Sequence, residues 1–267
     1  MKNKKNKLYI QMFSIHGLIR GTNLELGRDA DTGGQVLYVL ELARHLSESD
    51  TVERVDVFTR LIVDKTVSPD YAQPIEKISD KCRIIRVRCS SKKYIRKELL
   101  WPYLDEFVDQ TIRFIKEEGR IPDIIHGHYA DAGYVGALLS RFFGVPFVFT
   151  GHSLGRSKLG RLLQNGMKML HIEKKFKISH RVRVEEDVLE QADLIVVSTQ
   201  EEIEKQYGLY ENKKIPTFNV IPPGFDLKKF YAYYHRLSKG NSEREMLEYA
   251  QASLQEELAR FLVNKER

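Results

Sequence analysis

The feature that most constrains this chain is a repeated alternation of two hydrophobic periods. Short runs rich in Val, Ile and Phe, each ended by Gly, Pro or polar residues, recur along the sequence as "KLYIQMFSI", "VERVDVFTRLI", "CRIIRVRC", "PDIIHGHY", "PFVFTGHS", "DLIVVSTQ" and "FNVIPPG". They read as seven strands. Between several of them lie helical patterns, clearest over 35–46, 104–116, 134–143, 169–191 and 201–207. Such alternation predicts an α/β fold, a Rossmann-like doubly wound parallel sheet covered on both faces. Ligands of these sheets bind beyond the carboxyl ends of the strands. That rule places "SIHG", "HGHYAD", "TGHSLG", "STQEE" and "IPPG" along one rim.

Composition narrows the function classes. A chain of 267 residues that is 42% hydrophobic can bury a full core. No apolar run approaches the roughly 20 residues of a membrane span, and "MKNKKNK" leads into strand-like alternation rather than a signal-peptide core. A cytoplasmic protein without a membrane partner is expected. Cys82 and Cys89 have neither zinc-knuckle nor CxxC spacing, so ordinary thiols are expected. His126 and His128 share one strand face, but no third ligand lies near them in sequence, and neither a metal nor a cofactor is called for. The net charge of +6 is interleaved with 37 acids and accompanies no base-stacking motif, so an anionic small substrate is preferred over nucleic acid. After Asp226 the strand signals stop, and "LSKGNSE" leads to the amphipathic "REMLEYAQASLQEELARFLVN". The domain reading is therefore a Rossmann-like domain over 1–226 and a helical connector over 227–267.

The rim residues carry the candidate chemistry. Gly33 and Gly34 stand just before a helical pattern. They either make a turn or let backbone N–H groups approach an anion without side chains in the way. The GxGxxG and Walker A patterns are absent, which argues against dinucleotide-dependent dehydrogenase and ATPase readings. His16, His126, His128 and His152 all fall at or near strand ends, and His152 is the best functional candidate because "TGHSLG" puts glycine on both sides of its turn. Lys97, Lys158, Arg181 and Arg183 are either a solvated basic surface or cations that close on one anion.

Taken together, "HGLIRGTNLELGRDADTGGQ", "LWPYLDEFVD", "HGHYADAG", "FTGHSLGRSKL" and "VIPPGFD" resemble the sucrose-phosphate synthases, retaining glycosyltransferases of two-domain GT-B architecture. The sucrose synthases are a weaker match, since they carry an Ala-containing turn in place of "HSLGRSKL". The resemblance implies glucose transfer from UDP-glucose to fructose 6-phosphate, with this chain as the acceptor half and UDP-glucose held by a missing or separate C-terminal domain. By the same resemblance the Gly33-Gly34 turn lies against the donor diphosphate or the reacting sugars, with Gln35 also available to the acceptor. Lys97, Lys158 and Arg181 hold the acceptor's 6-phosphate, and Tyr129 and His152 line the sugar pocket, with His152 the catalytic candidate. The family has an acidic residue where "RVRVEE" places Arg183, a departure. No protein nucleophile is implied, and the chain alone is expected to be inactive. A GDP-mannose-dependent mannosylfructose-phosphate synthase half and a non-catalytic sugar-phosphate-binding domain are the alternatives.

Overall fold

The structure is a computed structural model, and it describes residues 7–224. The helical connector expected over 227–267 lies outside the described residues. Each of the seven apolar runs forms a strand: β1 (Leu8–Phe13), β2 (Val52–Arg60), β4 (Cys82–Val87), β5 (Ile124–His128), β6 (Phe147–Thr150), β7 (Leu194–Val197) and β8 (Thr217–Val220). An eighth, β3 (Ile75–Lys77), is absent from the sequence reading. The sheet order is β3-β4-β2-β1-β5-β6-β7-β8. All neighbours are parallel except β3, which runs antiparallel to β4 at the edge.

Among the described residues six α-helices accompany the sheet: α1 (Gly34–Glu48), α2 (Leu104–Glu118), α3 (Ala130–Phe143), α4 (Gly155–Gln164), α5 (Met169–Phe176) and α6 (Ile178–Gln191). Side-chain alternation along the strands builds two cores. Ile10, Met12, Val55, Val57 and Ile84 pack with Val36, Val39, Leu40 and Ala43 of α1 on one face. Phe13, Phe58, Ile85, Phe147 and Phe149 pack with Phe107 of α2, Val135 and Leu139 of α3 and Val188 of α6 on the other. A sheet buried on both sides accounts for the continuous apolar runs of its strands.

Two helical readings change. The pattern over 169–191 is two helices, broken at Lys177, which adopts a left-handed conformation at φ 49°. The pattern over 201–207 is a single π turn at Glu202–Gln206. Among the described residues no helix is long and apolar enough to cross a membrane.

Candidate active site

The strand order reverses between β1 and β5, and in sheets of this type the loops that follow the strands at such a switch point form the ligand crevice. "SIHG" leaves β1 and "HGHYAD" closes β5. One hydrogen bond joins these two lips: His16 Nδ1 lies 2.8 Å from Asp131 Oδ2, with both side chains buried. Asp131 also accepts from the Ala132 N–H at 2.7 Å, in the first turn of α3.

Between them stands Tyr129, at φ 78° and ψ 168°, a region almost reserved for glycine. Its N–H donates to Thr150 O at 2.9 Å, which draws the exit of β5 toward that of β6. The buried ring packs edge-on against His16 at 4.6 Å, and the Arg181 guanidinium sits over it at 4.3 Å. Backbone strain of this kind costs on the order of 1–3 kcal/mol and clusters at functional sites. The Tyr129 hydroxyl has no hydrogen-bond partner among the described residues, and burial raises its pKa.

His152 leaves β6 at the apex of a three-residue turn, with φ 56° and the Ser153 N–H donating to Gly151 O at 2.6 Å. The flanking glycines have a reason other than exposure of the imidazole. A Cβ on Gly151 would lie 2.6 Å from the Tyr207 hydroxyl, and one on Gly155 would lie 2.7 Å from Glu185 Oε2. They are small because Tyr207 and Glu185 close in. His152 Nε2 lies 3.1 Å from His128 Nδ1, and His126 Nε2 lies 2.9 Å from Thr150 Oγ1. Burial lowers the pKa of His126 and His152 to about 3 and that of His128 well below its ordinary value. All three rings are neutral at neutral pH.

Gly33 and Gly34 open α1. Gly33 is the N-cap at φ −136°, no side chain caps the helix, and the first turn carries no acid. A Cβ on either glycine would meet nothing within 4 Å among the described residues. Neither packing nor a positive φ requires glycine here, so Gly34→Ala is expected to raise stability by about 0.4–1 kcal/mol, read from the thermal midpoint. A loss of more than that would return the pair to a purely structural turn. Gln35 reaches β5, its Nε2 donating to His128 O at 3.3 Å.

The three cations converge. Lys97 is ion-paired with Asp31 and donates to Ala30 O at 3.2 Å. Arg181 is buried on α6, where its Nε donates to Glu185 Oε1 at 2.8 Å and its terminal nitrogen to Ser153 O. Lys158, on α4, has its ammonium 3.9 Å from the Phe176 ring centre and no ion pair among the described residues. Burial first, then the charge of Arg181, with Lys97 adding to it against the opposing Glu98, lowers the Lys158 pKa to about 8. Arg183 is exposed on α6, so the departure from the family pattern falls on the solvent side.

One residue of the site escaped the sequence reading. Glu185 is buried and accepts from Arg181, from the Gly155 N–H at 2.9 Å in the first turn of α4, and from the Tyr210 hydroxyl. The available signal was the i, i+4 spacing of Arg181 and Glu185 within "RVRVEE".

With this geometry in place, the family is decided by one match. The model of the family "Sucrose synthase first GT-B domain" covers residues 5–249. The chain belongs to that family. It is 39% identical to a sucrose-phosphate synthase of Zea mays, across 98% of this chain and 30% of the relative, and 43% identical to sucrose-phosphate synthase 4 of Arabidopsis thaliana, across 84% and 25%. The chain thus spans less than a third of the length of these curated relatives. Among solved structures, a sucrose-phosphate synthase of Thermosynechococcus elongatus superposes with a TM-score of 0.65 at 27% identity, over 83% of this chain and 49% of that one. The catalytic domain of starch synthase IV of Arabidopsis thaliana, solved with ADP and acarbose, shares the fold at a TM-score of 0.53 and 12% identity, over 84% and 53%. The fold is that of a GT-B glycosyltransferase domain.

Proposed function

We propose that this chain is the acceptor-binding domain of a sucrose-phosphate synthase type glycosyltransferase, which transfers glucose from UDP-glucose to fructose 6-phosphate with retention. The observation that supports this best is the Lys158 ammonium, held beside Arg181 and Lys97 with its pKa lowered and no carboxylate paired to it among the described residues. A partly buried cation among cations costs free energy until an anion arrives, and several charge-assisted hydrogen bonds to one phosphoryl group remove that cost. Lys97, Lys158 and Arg181 then hold the 6-phosphate, and Tyr129 and His152 face the sugar. The uncapped start of α1 at Gly33, Gly34 and Gln35 offers N–H groups to the diphosphate of the donor.

In a retaining transfer of this kind, acceptor attack and nucleotide departure occur on one face of the sugar, and the leaving phosphate accepts the proton. The domain contributes position and charge rather than a nucleophile. Donor identity, UDP-glucose or GDP-mannose, belongs to the donor-binding domain of such an enzyme. Cys82 and Cys89, both buried and free with pKa values pushed to about 11 by burial, match a reducing cytoplasm.

Calorimetry on the chain tests the acceptor reading. Fructose 6-phosphate is expected to bind more tightly than fructose by about 1.5–3 kcal/mol, the value of a hydrogen bond to a charged group. Equal affinities for the two sugars would remove the phosphate assignment.

A further inference from the structure

Behind His152 lies a buried imidazole whose hydrogen bonding is incomplete. His128 is fully buried at the end of β5, its ring 4.0 Å from that of His126 and 5.3 Å from that of His152. Its Nδ1 faces His152 Nε2 at 3.1 Å, while its own Nε2 is buried with no partner among the described residues. A neutral imidazole has one N–H and one lone pair. Placing the His128 proton on Nε2 would orphan a buried N–H, and buried N–H groups are left unpaired more rarely than acceptors are. The proton therefore belongs on Nδ1, which donates to His152 Nε2.

The consequence passes along the chain of rings. His152 accepts through Nε2, so in its neutral form its own proton sits on Nδ1. No described residue is hydrogen-bonded to that nitrogen, and the side chain is half-buried at the lip of the crevice. Gln35 holds the His128 carbonyl at 3.3 Å, and Tyr38 packs edge-on against His128 at 6.0 Å and His152 at 5.1 Å, which fixes both rings.

We propose that His128 is a positioning residue that locks His152 in the Nδ1–H tautomer, so that His152 presents the site with a hydrogen-bond donor and no free basic nitrogen. The chemistry this suits is a sugar hydroxyl or phosphoryl oxygen that accepts a hydrogen bond. It excludes His152 as the base that deprotonates an acceptor hydroxyl, consistent with proton transfer to the leaving phosphate. The tautomer stands on the geometry alone, whereas the ligand oxygen rests on the function proposed above.

Long-range 1H–15N correlation spectra of the 15N-labelled chain at neutral pH read the tautomer directly. The His152 signals are identified by their loss in His152→Gln. A protonated, pyrrole-type Nδ1 and a pyridine-type Nε2 are expected at His152. His128→Leu is expected to return His152 to the Nε2–H form that predominates in free imidazole. His128→Asn, whose amide can donate from the Nδ1 side, is expected to preserve the Nδ1–H form. His152 protonated at Nε2 in the native chain, or a tautomer unmoved by His128→Leu, overturns the proposal. The native spectrum decides even where a variant fails to fold.

Titration of the same sample with fructose 6-phosphate and with UDP-glucose separates this result from the functional reading. One of the two is expected to shift His152 Nδ1, and to bind His128→Leu roughly three- to tenfold more weakly, with recovery in His128→Asn, as loss of one ordinary hydrogen bond implies. A locked tautomer that neither compound shifts supports the positioning role and removes His152 from the proposed sugar site.

Discussion

Replacing Glu185 by alanine is expected to destabilise the fold by about 3–5 kcal/mol, the cost of leaving one member of a buried ion pair without its partner. The carboxylate is 1% exposed and serves three elements at once. It neutralises Arg181 on its own helix, accepts from Gly155 in the first turn of α4, and accepts from the Tyr210 hydroxyl. Removing it strands a guanidinium that is 4% exposed and leaves the Gly155 N–H without its acceptor. The midpoint of urea unfolding measures the effect, and Glu185→Gln, which keeps the shape and loses the charge, should fall between the native chain and the alanine variant. Arg183→Ala, on the exposed side of the same helix, serves as the control and should change stability by less than about 0.5 kcal/mol. A Glu185→Ala variant as stable as the control would mean that Arg181 finds another counter-charge, and would weaken its placement as a fixed wall of the phosphate site.

The contrast between Arg183 and Glu185 shows where the sequence was legible. Most of the parallel strands were readable because strands buried on both faces are rich in Val, Ile and Phe, as in the runs around Ile10, Val57 and Ile125. β8 is mostly exposed and was legible from its position after the last helical pattern. β3 was not, because two exposed residues flanking one half-buried residue after Pro74 at a sheet edge carry no such pattern. α4 was missed for a related reason. Of "GRSKLGRLLQ" only Gly155 is buried, so the helix shows no continuous apolar stripe. The break between α5 and α6 falls on Lys177, where neither Gly nor Pro announces a left-handed residue.

At the rim, strand ends pointed to His16, His126, His128 and His152, since the rim rule needs only the order of elements, whereas Tyr129 was singled out by the family resemblance alone. The partners across the crevice were beyond reach. His16 and Asp131 are separated by 115 positions, and His128 and His152 by 24, so nothing local couples them. The flanking glycines of His152 were visible but misread, because their smallness answers to Tyr207 and Glu185, which the sequence places far away.

The affinity for fructose 6-phosphate is expected to depend steeply on pH through Lys158. Its pKa falls from the ordinary 10.5 to about 8, chiefly through burial and then through Arg181, with Lys97 adding to the repulsion and Glu98 and Asp31 opposing it. Without ligand, the unfolded chain holds a proton between pH 8 and 10.5 that the folded chain has released. Stability therefore gains a contribution as pH rises through that window, because the lysine's charge is the costly form in the fold. A bound phosphate reverses the preference by favouring the ammonium, which raises the pKa of Lys158. Above pH 8 binding must then take up a proton. Affinity should be level from neutral pH to about 8 and fall beyond it, by up to about tenfold per pH unit, until the pKa of the complex is reached. Calorimetry in two buffers of different ionisation heat measures both the affinity and the proton uptake. Lys158→Arg supplies a cation that stays charged across the range, so it should bind without this slope. A level profile in the native chain from pH 8 toward 10.5, or an identical slope in Lys158→Arg, would show that the phosphate does not touch Lys158.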